Sequence, residues 1–146
     1  MKISLNIPAV RIANLMCSAV ESGDPVTTAS KGGWCNGIYY KTKSAEPPRG
    51  NWYIDKPAFY ESKNFQIEVH EVADEQCWIR GGTDEQNLAV GALKIHTIRR
   101  KELLRGLAIM AEKFPVQFSQ IIEDNTDAPC ADAFLQAVVF GDEKYA

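Results

Sequence analysis

Residues Phe65 to Val72 read Phe-Gln-Ile-Glu-Val-His-Glu-Val and carry the most regular strand pattern in the middle of the chain. Apolar and polar side chains alternate along it, so that Phe65, Ile67 and Val69 fall on one face and His70 falls on the other. A period of two residues is typical of a strand with one buried face. We therefore predict a strand here, the clearest in the middle of the chain, with its polar face outward.

Neighbouring segments are predicted to add further strands. They share aromatic and β-branched content or strict alternation. In chain order, these segments are residues 2–7, 34–41, 52–54, 77–80 and 88–95. Residues 42–51 are polar and contain two prolines and a glycine, so we predict a loop there.

Apolar residues at helical spacing predict helices before and after the strands. The predicted helices span residues 9–22, 98–113 and 129–140, with a short amphipathic helix between the last two. Pro8 opens the first helix, and Thr97 is predicted to cap the second. Pro115 breaks the second helix, and Asp127 caps the final one, which ends at Gly141.

This order of elements predicts an α+β fold, with an antiparallel sheet and an N-terminal helix and C-terminal helices packed on one side. The length of 146 residues predicts one domain over residues 1–146. With 45% hydrophobic and 24% charged residues, the chain has an ordinary globular composition. Its net charge of −3 argues against a globally basic nucleic-acid binder. Its apolar runs are too short to span a membrane, and the start lacks the apolar core of a secretion signal, so we expect a cytoplasmic protein.

The sequence predicts no catalytic residue, no metal site and no cofactor. Its four cysteines include no CxxC pair of the kind that zinc sites use, and we expect them to be reduced and structural. A two-histidine phosphoesterase needs a hydroxyl residue two places after each histidine, where this chain has Val72 and Ile98. The acidic residues 123–132 lack the spacing of a calcium loop.

Two segments are candidate binding surfaces. Residues 34–60 are dense in aromatic side chains that are suited to base stacking or to a protein-binding hot spot, or else to core packing. Residues 94–105 carry five positive charges, which would attract phosphates or an acidic partner, or else form a solvated face. The predicted binding residues are Trp34, Tyr39, Tyr40, Trp52, Arg99 and Arg100.

Three sequence patterns in the C-terminal third carry a resemblance to a known group. They are Met-Ala-Glu-Lys-Phe-Pro at residues 110–115, Asp-Ala-Phe-Leu-Gln at residues 132–136 and Phe-Gly-Asp-Glu-Lys-Tyr at residues 140–145. Together with Gly32-Gly33-Trp34, they resemble small proteins of unknown function that are carried by tailed phages and prophages. The resemblance implies a genomic context and no catalytic activity.

These observations predict a non-enzymatic, phage-type accessory protein that binds a host protein or protein–nucleic-acid complex in the host cytoplasm. Inhibition of a host defence system is its most concrete version. The alternative is a sequestering protein for a small ligand or nucleotide, which would stack on Trp34, Tyr39 or Tyr40 and place phosphate on Arg99 or Arg100. A deep pocket lined by both groups favours the ligand, whereas a flat aromatic patch favours a protein. Both hypotheses leave homo-oligomerisation open.

Overall fold

Strand β2 (Gln66–Val72) lies at the centre of a three-stranded antiparallel sheet, between β1 (Tyr40–Glu46) and β3 (Leu93–Arg99). The strands belong to a computed structural model that describes residues 4–21, 40–46 and 56–144. The register of β2 against β3 is unbroken from Gln66–Arg99 to Val72–Leu93. Its register against β1 shifts between Thr42 and Ala45, as at a β-bulge.

Helices precede, interrupt and follow these strands. In chain order they are α1 (Ala9–Glu21), α2 (Lys56–Glu61), α3 (Asp84–Ala89), α4 (Arg100–Lys113), α5 (Pro115–Ile122) and α6 (Ala128–Phe140). The predicted α+β class is therefore confirmed. The first and last predicted helices end within one residue of the observed bounds. Asp127 caps α6 by accepting the N–H of Cys130 at 2.8 Å, and Gly141 ends it with a φ of 75°.

The two faces of β2 are covered differently. On the inner face, Ile67 and Val69 are fully buried in one core cluster with the side chains of the helices. Because strand side chains alternate, Glu71 shares this inner face, whereas Glu68 and His70 lie on the opposite, outer face. Because β3 pairs with β2 in an unbroken register, its residues are divided between the inner and the outer face in the same way.

Helix α6 is the centre of the helical layer. Every residue from Cys130 to Val138 is buried, and the helix contacts α1, α4, α5 and β3. Such complete burial is expected of a helix that is apolar around most of its circumference. At Gly106 of α4, a Cβ would lie 2.3 Å from Cγ2 of Val138. The two helices pack this closely because position 106 has no side chain.

Two of the predicted strands are wrong. Residues 4–7 form no strand, and Leu5 is exposed; residues 2 and 3 lie outside the described part of the chain. Alternation indicates a strand only where a neighbouring strand supplies hydrogen bonds, and no described strand pairs with this segment. Residues 77–80 form turns instead of extending the sheet.

The strand predicted over residues 34–41 is displaced along the chain. Strand β1 runs from Tyr40 to Glu46, so residues 42–46, predicted as loop, are strand. Pairing with β2 overrides the weak strand preference of these polar residues. The predictions for residues 34–39 and 47–54 fall outside the described residues.

The last predicted strand begins later than expected, because a helix occupies part of it. Residues 84–89 form α3, whose start is a capping box: the Gln86 N–H donates to the Thr83 hydroxyl at 3.2 Å, and the Thr83 N–H donates to the Gln86 side chain at 2.9 Å. Thr97 does not cap the next helix, because β3 continues through it to Arg99.

Candidate functional site

The predicted binding residues Arg99 and Arg100 lie where β3 joins α4, and both are exposed. Arg99 occupies an outer-face position opposite Gln66. The Arg100 guanidinium donates to the carbonyl oxygen of Glu61, at the end of α2, at 3.2 Å. The Glu102 carboxylate accepts the Arg99 N–H at 2.7 Å. A carboxylate of this chain therefore occupies the position at the start of α4 that an external anion would take. The junction is therefore an exposed basic surface and not an open cradle for an anion.

One lysine enlarges this surface. Lys101 is exposed and lies 3.8 Å from the Glu102 carboxylate, whereas Lys94 pairs with Glu71 at the other end of β3. We call Arg99, Arg100 and Lys101 the basic edge. Its charges are solvated, so it is suited to long-range attraction of an acidic partner more than to tight binding of one ion.

The sheet does not bring Tyr40 and Arg99 together. Tyr40 pairs with Glu71 at one end of β2, and Arg99 pairs with Gln66 at the other. Five residues of strand separate these two partners by about 16 Å, and β1 and β3 lie on opposite sides of β2. The two backbone positions therefore do not converge on one small ligand. Trp34, Tyr39 and Trp52 lie outside the described residues.

Two other aromatic residues of the dense segment belong to the core. Phe59 and Tyr60 of α2 are buried. Phe59 packs edge-on against Tyr60 and Phe65, with ring centroids 4.9 and 5.4 Å apart. For these two rings, the packing interpretation holds.

A carboxylate is buried on the inner face of the sheet. Glu71 is only 1% exposed, and its Oε2 lies 2.6 Å from Nε2 of His96 on β3. Its Oε1 forms an ion pair with the Lys144 ammonium. The same ammonium lies 4.9 Å from the centre of the Phe140 ring, and the His96 ring packs edge-on against Phe140. We call Glu71, His96, Phe140 and Lys144 the inner cluster. Both oxygens of the buried Glu71 carboxylate have a polar partner in it, as a buried charge requires.

Two buried polar side chains of α6 continue this cluster. The Gln136 side chain donates to Asp132 at 2.7 Å and accepts the Lys144 N–H at 2.7 Å. Both Gln136 and Asp132 are buried. These contacts connect β2, β3, α6 and the residues after α6. The inner cluster therefore holds these elements of the fold together.

The outer face carries the second histidine. Sequence alternation predicts His70 as outward and polar, yet it is 3% exposed. Its Nε2 lies 3.4 Å from Oε2 of Glu68, and its Nδ1 lies 3.5 Å from Oδ2 of Asp84 without hydrogen-bond geometry. Asp84 begins α3, so the residues around α3 fold back over this face and bury the imidazole.

We call residues 73–92, which connect β2 to β3, the α3 segment. Asn87 holds it together: its side chain accepts the Ile79 N–H at 2.8 Å and donates to the Thr83 carbonyl at 3.1 Å. The Ala73 and Asp74 amides donate to the Ala92 carbonyl and close the segment at its base. Asn87 itself is fully buried.

Exposed apolar side chains concentrate in this region. Four of the eight exposed large hydrophobic residues in the described part of the chain fall within residues 79–95. They are Ile79, Leu88, Val90 and Ile95, each between 40% and 47% exposed. Ile95 shares the outer face of β3 with Arg99. We call these four residues together with Arg99 the outer surface.

Two thiols differ in how available they are. Burial, with a contribution from the Asp127 charge, raises the pKa of the Cys130 thiol to about 11. Cys77, in the α3 segment, is exposed, and its hydrogen bond to Asp74 raises its pKa while lowering the pKa of that carboxyl. Neither environment produces the thiolate that a nucleophilic cysteine needs.

The described residues contain no cluster of three or more His, Cys, Asp or Glu side chains suited to holding a metal ion. Across the same residues, no helix combines the length and the apolar character needed to cross a bilayer.

Comparisons with models of known protein families, with curated proteins and with solved structures find no match for this chain. Function is therefore inferred from the surfaces described above. Sequence reasoning identified the basic edge but missed the apolar part of the outer surface, which depends on the position of α3. The capping-box pattern Thr83-x-x-Gln86 was the signal that could have placed this helix.

Proposed function

We propose that this is a non-enzymatic accessory protein that binds a macromolecular partner, a host protein, through the outer surface. The observation that carries the proposal is the exposure of Ile79, Leu88, Val90 and Ile95 within residues 79–95, together with the position of Arg99 on the same outer face of β3 as Ile95. Apolar side chains bordered by charged ones are typical of protein-binding sites. Because the chain resembles phage-carried proteins, we propose a component of a host defence system as this partner.

The basic edge supplies the charge complementarity for such a partner. Arg99 belongs to both the basic edge and the outer surface. The neighbouring Glu102 carboxylate already accepts a hydrogen bond from the Arg99 N–H. A partner with an acidic rim around an apolar centre would fit this arrangement. The apolar side chains would then provide most of the binding free energy, and the basic edge would speed association.

The sequestering alternative is less well supported. A nucleotide stacked at Tyr40 would not reach Arg99, because the sheet register places the two at opposite ends. Arg100 is directed to the Glu61 carbonyl. A ligand site would have to use the aromatic segment without these arginines.

A matched pair of valines tests the proposal. Val90 lies in the outer surface, and Val116 lies on α5, and both are exposed. A photo-cross-linking amino acid would be placed at each position in the full chain expressed in host cells. We expect a discrete cross-linked protein from position 90 and none from position 116.

The same two positions give an affinity test. Val90→Asp should reduce recovery of the cross-linked partner by about tenfold or more, because a charge would enter an apolar interface. Val116→Asp is the control and should leave recovery unchanged, with circular dichroism confirming the fold of both variants. Equal recovery with both variants would contradict the proposal. A nucleotide co-purifying with the wild type at equal molarity would favour the sequestering alternative.

A further inference from the structure

We infer that the side of β3 that faces away from β2 binds an extended, acidic segment of the partner as an additional strand of the sheet, an inference that rests on the proposed function and deepens it. In the sheet order β1–β2–β3, β3 lies at one edge. The backbone groups of an edge strand are free to pair with a strand of another chain. Main-chain hydrogen bonds along such an edge are a recurring way of binding an extended segment.

The hydrogen-bond pattern identifies which backbone groups of β3 face outward. The Ala73 N–H donates to the Ala92 carbonyl at 2.8 Å, and these two residues continue the register of β2 against β3. Hydrogen-bonded and non-hydrogen-bonded pairs alternate along an antiparallel ladder. In steps of two from Ala92, the backbone of residues 94, 96 and 98 therefore bonds to β2. The backbone N–H and C=O groups of Ile95 and Thr97 point away from β2.

These outward groups are available for pairing. Within the described part of the chain, no hydrogen bond outside the β2–β3 ladder uses the backbone of Ile95 or Thr97. Ile95 is exposed and Thr97 is half-buried, whereas the burial of Leu93 limits the accessible stretch at one end. At the other end, the Arg99 N–H already donates to a carboxylate of α4. We call residues 94–99, on the side away from β2, the open side of β3.

The side chains along the open side favour an acidic occupant. Because strand positions alternate between faces, an added strand would meet Ile95 and Arg99 on the outer face and Lys94 on the inner face. Both cations are exposed, and Glu68, on β2 opposite Thr97, is one strand further away. A carboxylate opposite each cation and an apolar side chain opposite Ile95 would form favourable cross-strand pairs.

A second copy of this chain fits the open side less well. Pairing of two β3 strands would bring Lys94 and Arg99 of both copies to the same strand pair. Like charges in such positions oppose association. An acidic segment of a different chain gains from the same charges.

Amide hydrogen exchange of the full chain, measured residue by residue by NMR, tests the open side without the host partner. In the protein alone, after correction for intrinsic rates, the amides of Ile95 and Thr97 should exchange faster than those of residues 94, 96 and 98. The probe is the capped peptide acetyl-Glu-Thr-Thr-Thr-Val-Glu-amide. In antiparallel pairing, it sets its glutamates opposite Arg99 and Lys94 and its valine opposite Ile95.

The expected result is slower exchange at the outward amides only. With a dissociation constant of about 1 mM, a peptide concentration of about 2 mM would occupy about two-thirds of the protein and slow exchange at Ile95 and Thr97 by about threefold. Amides of α4 should show no change. Unchanged exchange at Ile95 and Thr97 would overturn the inference.

Two control peptides separate backbone pairing from charge. Replacing both glutamates by lysines keeps the backbone groups and should remove most of the protection, because like charges would then face each other. Methylating the backbone nitrogens of the third residue and the valine keeps the carboxylates and should also remove the protection, because the donors opposite Thr97 and Ile95 are lost. Protection by either control peptide equal to that by the glutamate peptide would overturn the inference.

One position of the protein gives a matched pair of variants. Thr97→Pro removes an outward N–H that the β2–β3 ladder does not use, and proline is tolerated at such edge positions. Thr97→Val keeps this N–H. The glutamate peptide should slow exchange at Ile95 in Thr97→Val and leave it unchanged in Thr97→Pro, with circular dichroism confirming the fold of both variants. If Thr97→Pro does not fold, the methylated peptide decides.

These outcomes are distinguishable from those of the cross-linking test. Protection by the glutamate peptide without a cross-link from position 90 would support strand addition and contradict the proposed function. A cross-link from position 90 without such protection would leave the proposed function standing and overturn strand addition. Slow exchange at Ile95 and Thr97 in the protein alone, if it is lost on dilution, would assign the open side to a second copy and overturn the inference.

Discussion

Each face of β2 places a histidine beside a carboxylate, but the buried group differs between the two faces. On the inner face, the Glu71 carboxylate is the central group, and it has a histidine and a lysine as partners. On the outer face, His70 is the central group, and it has two carboxylates as partners. The inner arrangement is enclosed by the helical layer, whereas one short segment covers the outer one. The difference separates a cluster that links several elements of the fold from a contact that joins the sheet to one short segment.

The largest expected effect tests whether the inner side holds the global stability. Leu103 and Leu104 are neighbours on α4, but Leu103 is 2% exposed and Leu104 is 55% exposed. Leu103→Ala should lower the free energy of unfolding by about 2–5 kcal/mol through lost burial and a cavity. Leu104→Ala, the matched control, should change it by less than about 0.5 kcal/mol. Urea denaturation measures both, and equal effects would mean that α4 does not pack as described.

A second pair compares carboxylates on the two faces of one strand. Glu71→Gln removes the charge that pairs with His96 and Lys144, and we expect a loss of about 2 kcal/mol, reduced from the cost for a fully buried pair because Lys144 is 43% exposed. Glu68→Gln should cost less than about 1 kcal/mol, because Glu68 is about one-third exposed and its contact with His70 is long. Urea denaturation at pH 7 compares them. A larger loss from Glu68 would reverse the assignment of the two faces.

The sequence predicted the parts of the fold that depend on local pattern. Alternation located β2, and apolar spacing with Asp127 and Gly141 located α6. It failed where tertiary pairing decides: the polar β1 is a strand because β2 lies beside it, and residues 4–7 lack any described partner strand. The burial of His70 depends on α3 folding back, and that contact joins residues 14 positions apart. The inner cluster joins Glu71 and Lys144, whose separation along the chain leaves no local signal.

Equivalent helix caps give a third test of the comparison. Asp127 caps α6 in the helical layer, and Thr83 caps α3 on the outer face. Replacing either by alanine removes one side-chain hydrogen bond and should cost about 1 kcal/mol. For Asp127→Ala, the loss should appear in global unfolding by urea. For Thr83→Ala, it should appear as faster exchange confined to the amides of the α3 segment. A global loss from Thr83→Ala would mean that the segment unfolds only together with the core.

The smallest expected effect probes the α3 segment through Cys77. Its thiol is exposed and donates to the Asp74 carboxylate, which raises the pKa of Cys77 because deprotonation loses that bond and sets two negative charges side by side. Asp74→Asn removes the second charge and should lower the pKa of the thiol toward its ordinary value. At pH 8, where the thiol is mostly protonated, alkylation of Cys77 should become roughly threefold faster, because the thiolate is the nucleophile. Since both proteins carry a thiolate at high pH, the two rates should converge as pH rises above that pKa. Mass spectrometry of the peptide containing Cys77 measures its alkylation rate separately from those of the other cysteines.

Glu75→Gln, which removes a neighbouring exposed carboxylate, is the control, and its Cys77 should be alkylated at the wild-type rate. If Asp74→Asn labels no faster than this control, Asp74 is not the group that governs the thiol, and the turn at residues 74–77 differs from the one described.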